Sequence, residues 1–302
     1  MNAEAKLTCC LTVGMDALSL WTTSFKSDNP SMISRGEFDA VATDRILELL
    51  ATNDIRSTFL IPGHTALAYP ELTKKIHGLG HEIAYHGWVH EDPREFDLAG
   101  QRRIFERGLE ALDHVVGVHP RGHVSPAWNT SADTFALVEE FGFLYDGSRM
   151  ATDFLPVYVR KGDRWPANEP YEFGQLTEVV GLPVAWPLDD VPLFEFVWGQ
   201  LGGLTAPSVA EEIWTGDLDY ARTHCPGGVF NLTIHPQSSG RGHRMLLLER
   251  FVEYVKQFDN VEFGCLGDYA ERWKANNPID VWRKANPALA GDGAITELPL
   301  GK

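Results

Sequence analysis

The sequence lacks several features that would point to a membrane or a nucleic acid. None of its stretches approaches the roughly 18 apolar residues that a membrane-spanning helix needs. Its first residues carry neither the basic segment nor the cleavage site of a secretory leader. Positive charge is also scarce, with 26 Lys and Arg against 42 Asp and Glu and a formal net charge of −16. This acidity argues against nucleic-acid and anionic membrane partners.

Cysteine is scarce as well, and its spacing suggests no redox or metal motif. The four cysteines are Cys9, Cys10, Cys225 and Cys265, and none forms a Cys-x-x-Cys pair. Adjacent Cys9 and Cys10 fall within a predicted strand, where a thiol behaves as a small apolar side chain. We therefore expect free buried thiols and, with the leader missing, a cytoplasmic protein.

What the 302-residue sequence does contain is a large apolar fraction, 44%, in a regular order. Apolar strand patterns alternate with helical periodicity, which predicts a parallel α/β architecture. The predicted strands cover 7–13, 56–62, 82–86, 143–146, 157–160, 179–186, 228–235 and 261–265. The predicted helices cover 38–50, 66–77, 98–116, 131–141, 208–223, 242–258 and 266–274.

Three parts of the chain depart from this alternation. Residues 119–128 contain two prolines and a tryptophan, so we predict a rigid loop rather than a strand. Residues from about 152 to 205 are rich in Pro, Gly and aromatics, which suits a pocket wall, a subunit interface or an elaborated edge of the core. An interface predicts a homo-oligomer, a dimer or tetramer. We interpret 1–302 as one domain with this aromatic insertion and a polar tail from about 276.

Side chains that bind metals follow three of the predicted strands. Asp16 follows the first, His86 and His90 follow the third, and His235 ends the strand at 228–235. Because the carboxyl ends of barrel strands share one face, these side chains can converge. Two imidazoles and a carboxylate suit Zn²⁺ or another divalent ion, and three ligands leave room for water. The alternatives are a chance pair among 11 His, a cap for Asp16 and a backbone-bonded His235.

The motifs around these residues resemble the polysaccharide deacetylase superfamily, carbohydrate esterase family 4, over most of the chain. They are, in order, Thr12-Val13-Gly14-Met15-Asp16, His86 with His90, the loop 122–128 and Leu232-Thr233-Ile234-His235-Pro236. The resemblance implies a distorted (β/α) barrel of about seven parallel strands. It also implies a divalent metal, commonly zinc, on Asp16, His86 and His90. Amide hydrolysis by metal-activated water would follow, with His235 as the general acid.

Two positions differ from the typical pattern of that superfamily. The typical catalytic base is an aspartate where this chain has Gly14, and the arginine that orients it corresponds to Val124. Because either charge left alone and buried would be costly, their joint loss suggests a rewired site. The same superfamily contains an intracellular branch that acts on small cyclic amides. Three stretches of this chain resemble that branch: 34–38, 86–93 and 235–244. We therefore expect a hydrolase of cyclic imides, an imidase, that opens succinimide- or maleimide-type rings to half-amides.

Two other functions stay open at this point. A deacetylase of N-acetylated sugar or peptidoglycan fits the motifs, although the base and an export signal are missing. A non-catalytic metal- or ligand-binding module would fit Gly14. For the imidase, the predicted substrate-binding residues are Trp88, Trp128, Pro126 and Arg35, with a backbone N–H near Trp88 for the oxyanion. Core packing of the tryptophans and surface pairing of Arg35 are the alternatives.

Overall fold

The computed structural model describes residues 5–295. Its strands are β1 (Leu7–Gly14), β2 (Thr58–Ile61), β3 (Glu82–Tyr85), β4 (Gly122–His123), β5 (Tyr145–Arg149), β6 (Val157–Lys161), β7 (Gln175–Pro183), β8 (Phe196–Val197), β9 (Leu201–Gly202), β10 (Val229–Ile234) and β11 (Val261–Phe263). Its α-helices are α1 (Pro30–Glu37), α2 (Asp39–Thr52), α3 (Gly63–Ala68), α4 (Pro70–Gly78), α5 (Leu98–Val116), α6 (Thr134–Glu140), α7 (Asp190–Phe194), α8 (Pro207–His224), α9 (Pro236–Ser239), α10 (Gly242–Val255), α11 (Leu266–Asn276), α12 (Ile279–Ala285) and α13 (Pro287–Ala290).

Seven parallel strands form a distorted barrel. Their hydrogen-bonded order is β10, β1, β2, β3, β4, β5 and β7. A parallel bridge between Asp189 and Thr233 links the segment after β7 to β10. Strand β11 pairs with the start of β1, and the antiparallel β6 extends the sheet beyond β7. The predicted (β/α) barrel is therefore confirmed.

The apolar pattern of β1 follows from burial on both faces of the sheet. All eight of its residues are buried. Cys9, Leu11 and Val13 pack with the larger core cluster, whereas Cys10 packs with Leu60 and other residues of a second cluster. Alternate side chains of a strand point to opposite faces, so β1 contributes to both clusters. The four cysteines are buried and free, as expected.

Three local predictions differ from the structure. Gly122–His123 form a short strand within the predicted loop. This strand, β4, pairs with Tyr85 of β3 on one side and with β5 on the other. The aromatic segment is more than an insertion, since it supplies barrel strand β7. The predicted tail contains α12 and α13, and buried Trp282 packs against Tyr158 at 5.5 Å between ring centroids. The end of that tail, 296–302, lies outside the described residues.

Within the described part of the chain, no helix combines the length and the apolar character needed to cross a membrane. The predictions of compartment and oligomeric state stay predictions.

Candidate active site

The four predicted site residues meet at the carboxyl ends of β1, β3 and β10. The Nε2 atoms of His86 and His90 lie 3.5 and 3.4 Å from the two carboxylate oxygens of Asp16. The Nε2 atom of His235 lies 3.5 Å from Asp16 Oδ2. Asp16, His86 and His90 each offer a ligand atom within 4.8 Å of the others, and all three are buried. The convergence expected from a parallel barrel is therefore found.

Neighbouring groups fix which nitrogen of each histidine faces Asp16. His86 Nδ1 lies 2.7 Å from the carbonyl oxygen of Val124, which can only accept, so Nδ1 carries the hydrogen. The Ser24 hydroxyl donates to the carbonyl of His90 at 3.0 Å and lies 2.6 Å from His90 Nδ1. Ser24 therefore accepts from that Nδ1–H. Both rings present the lone pair of Nε2 toward Asp16, as a metal ligand must.

The Asp16 carboxylate is the strongest indication of a bound cation. Both of its oxygens are buried and have no hydrogen-bond partner among the described residues. An unsatisfied buried carboxylate is costly unless a cation compensates it. Burial lowers the pKa of His86 and of His90 to about 3, so both rings are neutral and able to bind a metal. Carboxylate plus two neutral imidazoles is a donor set for Zn²⁺ or a similar divalent ion.

His235 is held by a carboxylate that the sequence patterns did not single out. Its Nδ1 lies 2.7 Å from Asp190 Oδ1, and its backbone N–H donates to Asp190 Oδ2 at 2.9 Å. Burial lowers the pKa of His235, but Asp190 and then Asp189 outweigh it and raise the pKa to about 10. Asp189, Asp190 and His235 also have metal-ligand spacing. Because Asp190 already binds His235 at both oxygens, we interpret this group as a hydrogen-bonded dyad rather than a second metal site.

Gly14 leaves the space that His235 occupies. Val13 pairs with Ile234 in the β1–β10 ladder, so the next residues along the two strands, Gly14 and His235, are neighbours. A Cβ atom on Gly14 would lie 2.5 Å from His235 Cδ2 and Nε2. Gly14 and His235 are therefore sterically coupled, and a side chain at position 14 cannot coexist with this ring position.

Backbone strain is concentrated around the site. Among the described non-glycine residues, seven have positive φ angles. Four of these lie at or beside the cavity that Asp16, His86 and His90 line: Ala17, His90, Ala127 and Trp128. Each such conformation costs about 1–3 kcal/mol and persists only where surrounding contacts enforce it. One such contact is at Asp39, whose Oδ2 accepts a hydrogen bond from the Ala17 N–H at 2.9 Å, next to Asp16.

Comparison with known proteins agrees with this geometry. The family model described as "Polysaccharide deacetylase" matches residues 34–145. The chain is 31% identical over 280 residues to the peptidoglycan deacetylase of Helicobacter pylori, covering 88% of this chain and 96% of that one. It is 28% identical to a peptidoglycan deacetylase-like protein of Gibberella zeae, covering 87% and 85% of the two chains. A Mycobacterium smegmatis protein assigned as a polysaccharide deacetylase has 33% identity and a TM-score of 0.80, covering 91% and 93%.

The chain belongs to the polysaccharide deacetylase family. The relatives support the expected hydrolase chemistry. The expectation of a cyclic imide hydrolase is wrong, because relatives that match nearly the whole chain are named as peptidoglycan deacetylases. Gly14 suggested a different substrate, but the structure shows that it accommodates His235.

The structure places one of the four predicted substrate-binding residues in the cavity at the candidate metal site and the other three outside it. Trp128 lines the cavity with Asp16, His86 and His90, and its ring centroid lies 4.6 Å from that of Trp186. Pro126 does not line that cavity but an adjoining one, of about 180 Å³, which also contacts His90.

The other two lie away from the cavity. Trp88 packs beneath the Arg107 guanidinium, 3.9 Å from its ring centroid. Arg35 forms an ion pair with Glu195 and donates to the carbonyl of Phe196 at 2.8 Å. The predicted oxyanion donor near Trp88 is also committed elsewhere, since the Trp88 and Val89 N–H groups donate to Glu91 at 2.9 and 2.6 Å.

Sequence reasoning missed Asp190 and Ser24, and it gave no site role to Thr233, which lines the cavity with Asp16. Asp189 and Asp190 form an adjacent acidic pair soon after a predicted strand, which was a usable signal. Ser24 and Thr233 carry no such signal, because a hydroxyl in a loop or a strand is common. Trp186 belongs to the aromatic-rich segment 152–205, for which a pocket wall is one prediction, and it lines the cavity.

Proposed function

We propose that this family member is a metal-dependent deacetylase that hydrolyses the N-acetyl amide of a sugar in peptidoglycan or a related glycan. The observation that carries the proposal is the Asp16 carboxylate, which is buried, lacks hydrogen-bond partners among the described residues and faces three imidazole Nε2 atoms. Support for the substrate class comes from the similarity to the Helicobacter pylori peptidoglycan deacetylase over 88% of this chain.

Asp16, His86 and His90 are the proposed ligands of the divalent ion, with zinc as the favoured metal. When bound, such an ion lowers the pKa of water to about 7 and polarises the amide carbonyl. Val124 and Ser24 hold the Nδ1–H groups of His86 and His90, which directs the Nε2 lone pair of each ring toward the proposed ion.

His235 is the proposed proton-transfer residue. Hydrolysis adds the elements of water across the bond between acetyl carbon and sugar nitrogen, so the departing nitrogen must gain a proton. Asp190 orients His235 through Nδ1, which leaves Nε2 directed toward Asp16 and the cavity. A carboxylate–imidazole pair of this kind can shuttle a proton. It also occupies the space beside Gly14, where the family's usual aspartate would stand.

Acetate release from N-acetylglucosamine oligomers and from purified peptidoglycan tests the proposal, with metal analysis of the same sample. We expect release that a chelator abolishes and Zn²⁺ restores. His86→Ala is expected to lose both bound metal and activity, whereas His77→Ala, at an exposed histidine of α4, is a matched control that keeps both.

Two results would overturn the proposal. The first is no acetate release from any glycan by a zinc-loaded sample, which would favour a binding module. The second is release that survives complete chelation, which would remove the metal from the mechanism.

A further inference from the structure

A further cavity lies beside the active site, on the same face of the barrel, and is larger than the adjoining cavity at Pro126. It measures about 390 Å³ and begins where β5 ends, at Arg149. Its lining residues include Thr130 and Arg149 and, from the aromatic segment, Trp165 and Tyr171. The rings of Trp165 and Tyr171 are nearly parallel, with centroids 6.3 Å apart and an interplanar angle of 19°. Trp165 is 59% exposed and offers an apolar surface at the rim.

Arg149 supplies a positive charge to this cavity that no carboxylate among the described residues contacts directly. Its guanidinium packs over the Phe135 ring at 5.2 Å, and within residues 5–295 it has neither an ion pair nor a side-chain hydrogen bond. Burial first, and then the nearby Arg160, lower the pKa of Arg149, while the carboxylates of Asp146 and Asp163 oppose this. A partly buried guanidinium without an acceptor is unfavourable, and an anion would relieve this.

The other charges at the cavity are already neutralised. Arg160 donates to both oxygens of Asp163 at 3.0 Å, and its remaining nitrogen donates to the carbonyl of Leu289. Asp163 also accepts from Tyr171 and from the Gly174 N–H, at 2.7 Å each. Among the described residues that line the cavity, Arg149 is therefore the one cation without a hydrogen-bonded or ion-paired partner, which matches a singly charged anion such as a carboxylate better than a doubly charged phosphate.

Two short chain segments join this cavity to the active site. Thr130 is two residues from Trp128, which lines the active cavity. The carbonyl of Arg149 accepts from the Val184 N–H at 3.1 Å, and Val184 is two residues from Trp186, the partner ring of Trp128. A substrate that fills the active cavity and extends past this tryptophan pair would reach Arg149.

We propose that the cavity at Arg149 and Thr130 is a subsite for the carboxylate of a carboxylated N-acyl sugar, with Trp165 against the sugar. The inference rests on the proposed deacetylase function and narrows it, because it selects acidic sugar units of peptidoglycan over uncharged N-acetylglucosamine. Arg149 would bind the carboxylate through two parallel N–H donors, and the Thr130 hydroxyl would add a third.

Binding of N-acetylmuramic acid, compared with its methyl ester, tests the subsite in the zinc-loaded protein by calorimetry. The ester keeps the sugar and the acetyl group but removes the negative charge. We expect the acid to bind on the order of tenfold more tightly. Arg149→Met should abolish this preference and Arg149→Lys should keep part of it, while Arg164→Met, at an exposed arginine that does not line the cavity, should leave it unchanged.

Thr130→Val replaces the hydroxyl with a methyl group of similar size and keeps the test valid if Arg149→Met does not fold. This variant should reduce the preference several-fold. Equal affinity of the wild type for acid and ester would overturn the proposal, as would an undiminished preference in folded Arg149→Met. Displacement of the acid by inorganic phosphate at lower concentration than by acetate would refute the carboxylate assignment. The preference for the acid is a binding measurement and does not require deacetylation. Failure of the subsite proposal is therefore distinguishable from failure of the proposed function, which the acetate-release assay tests.

Discussion

Gly14→Ala is the change that most directly tests the coupling between β1 and His235. The new Cβ would lie 2.5 Å from His235 Cδ2 and Nε2, whereas ordinary contacts begin at 3.4 Å, so the ring must move by roughly 1 Å. Asp190 resists this movement because it holds both the backbone N–H and Nδ1 of His235. A catalytic group displaced by about 1 Å loses on the order of 100-fold in rate. Overpacking should also lower the free energy of unfolding by about 1–3 kcal/mol.

The assay is kcat for acetate release, measured with metal content and urea unfolding on the same preparations. Metal content should stay near that of the wild type, because Asp16, His86 and His90 are not in the clash. His235→Ala removes the ring that Gly14→Ala strikes, so adding Gly14→Ala to that variant should cause no further loss. Equal losses from Gly14→Ala in both backgrounds would refute the reasoning, as would a fully active single variant. Gly14→Asp meets the same clash, so restoring the family's usual aspartate should not increase the rate.

Three further changes probe the groups around the site. Asp190→Asn should lower kcat by about 100-fold or more with metal retained, because an amide cannot hold His235 Nδ1–H as a carboxylate does; an unaltered kcat would contradict the role of the dyad. Ser24→Ala should weaken metal affinity by about 10- to 100-fold in a competition titration with a chelator, since His90 Nδ1–H loses its acceptor; unchanged affinity would remove Ser24 from the site. Glu82→Gln tests how protonation is linked to stability at a residue outside the site. Burial raises the pKa of Glu82 above its ordinary value of 4.5, so the stability that this carboxyl group contributes to the wild type is lost as pH rises from 4.5 through that raised pKa. The stability of the variant relative to wild type, measured by urea unfolding, should therefore rise over the same interval. A constant difference across pH would show that Glu82 does not titrate as described.

The metal-site candidates could be found from the sequence because each follows a strand in a repeating pattern. Asp16, His86 and His235 come directly after apolar runs, and parallel strands bring their carboxyl ends to one face. Local pattern was therefore enough to predict the parallel α/β architecture, whereas the barrel, in which these residues can converge, was implied by the family resemblance. It also predicted that Cys9 and Cys10 are buried, since an apolar strand covered on both faces has no exposed position.

The substrate could not be inferred in the same way. Gly14 in the sequence suggested a rewired site and a different substrate, because sequence alone does not show what fills the space beside a glycine. That space is filled by His235 from a strand more than 200 residues away, held by Asp190 from another segment. Likewise, Trp88 and Arg35 suited a pocket by residue type, but their side chains turn toward Arg107 and Glu195.

The sequence by itself determined where strands and helices alternate along the chain, which strands are buried and which residues can bind a metal. These features depend on local periodicity and on the chemistry of single side chains. Only the tertiary structure decided which side chain occupies the space at Gly14, which carboxylate orients His235 and which arginine has no ion pair within residues 5–295. Those outcomes depend on contacts between segments distant in the chain, where a shift of about 1 Å separates a fit from a clash.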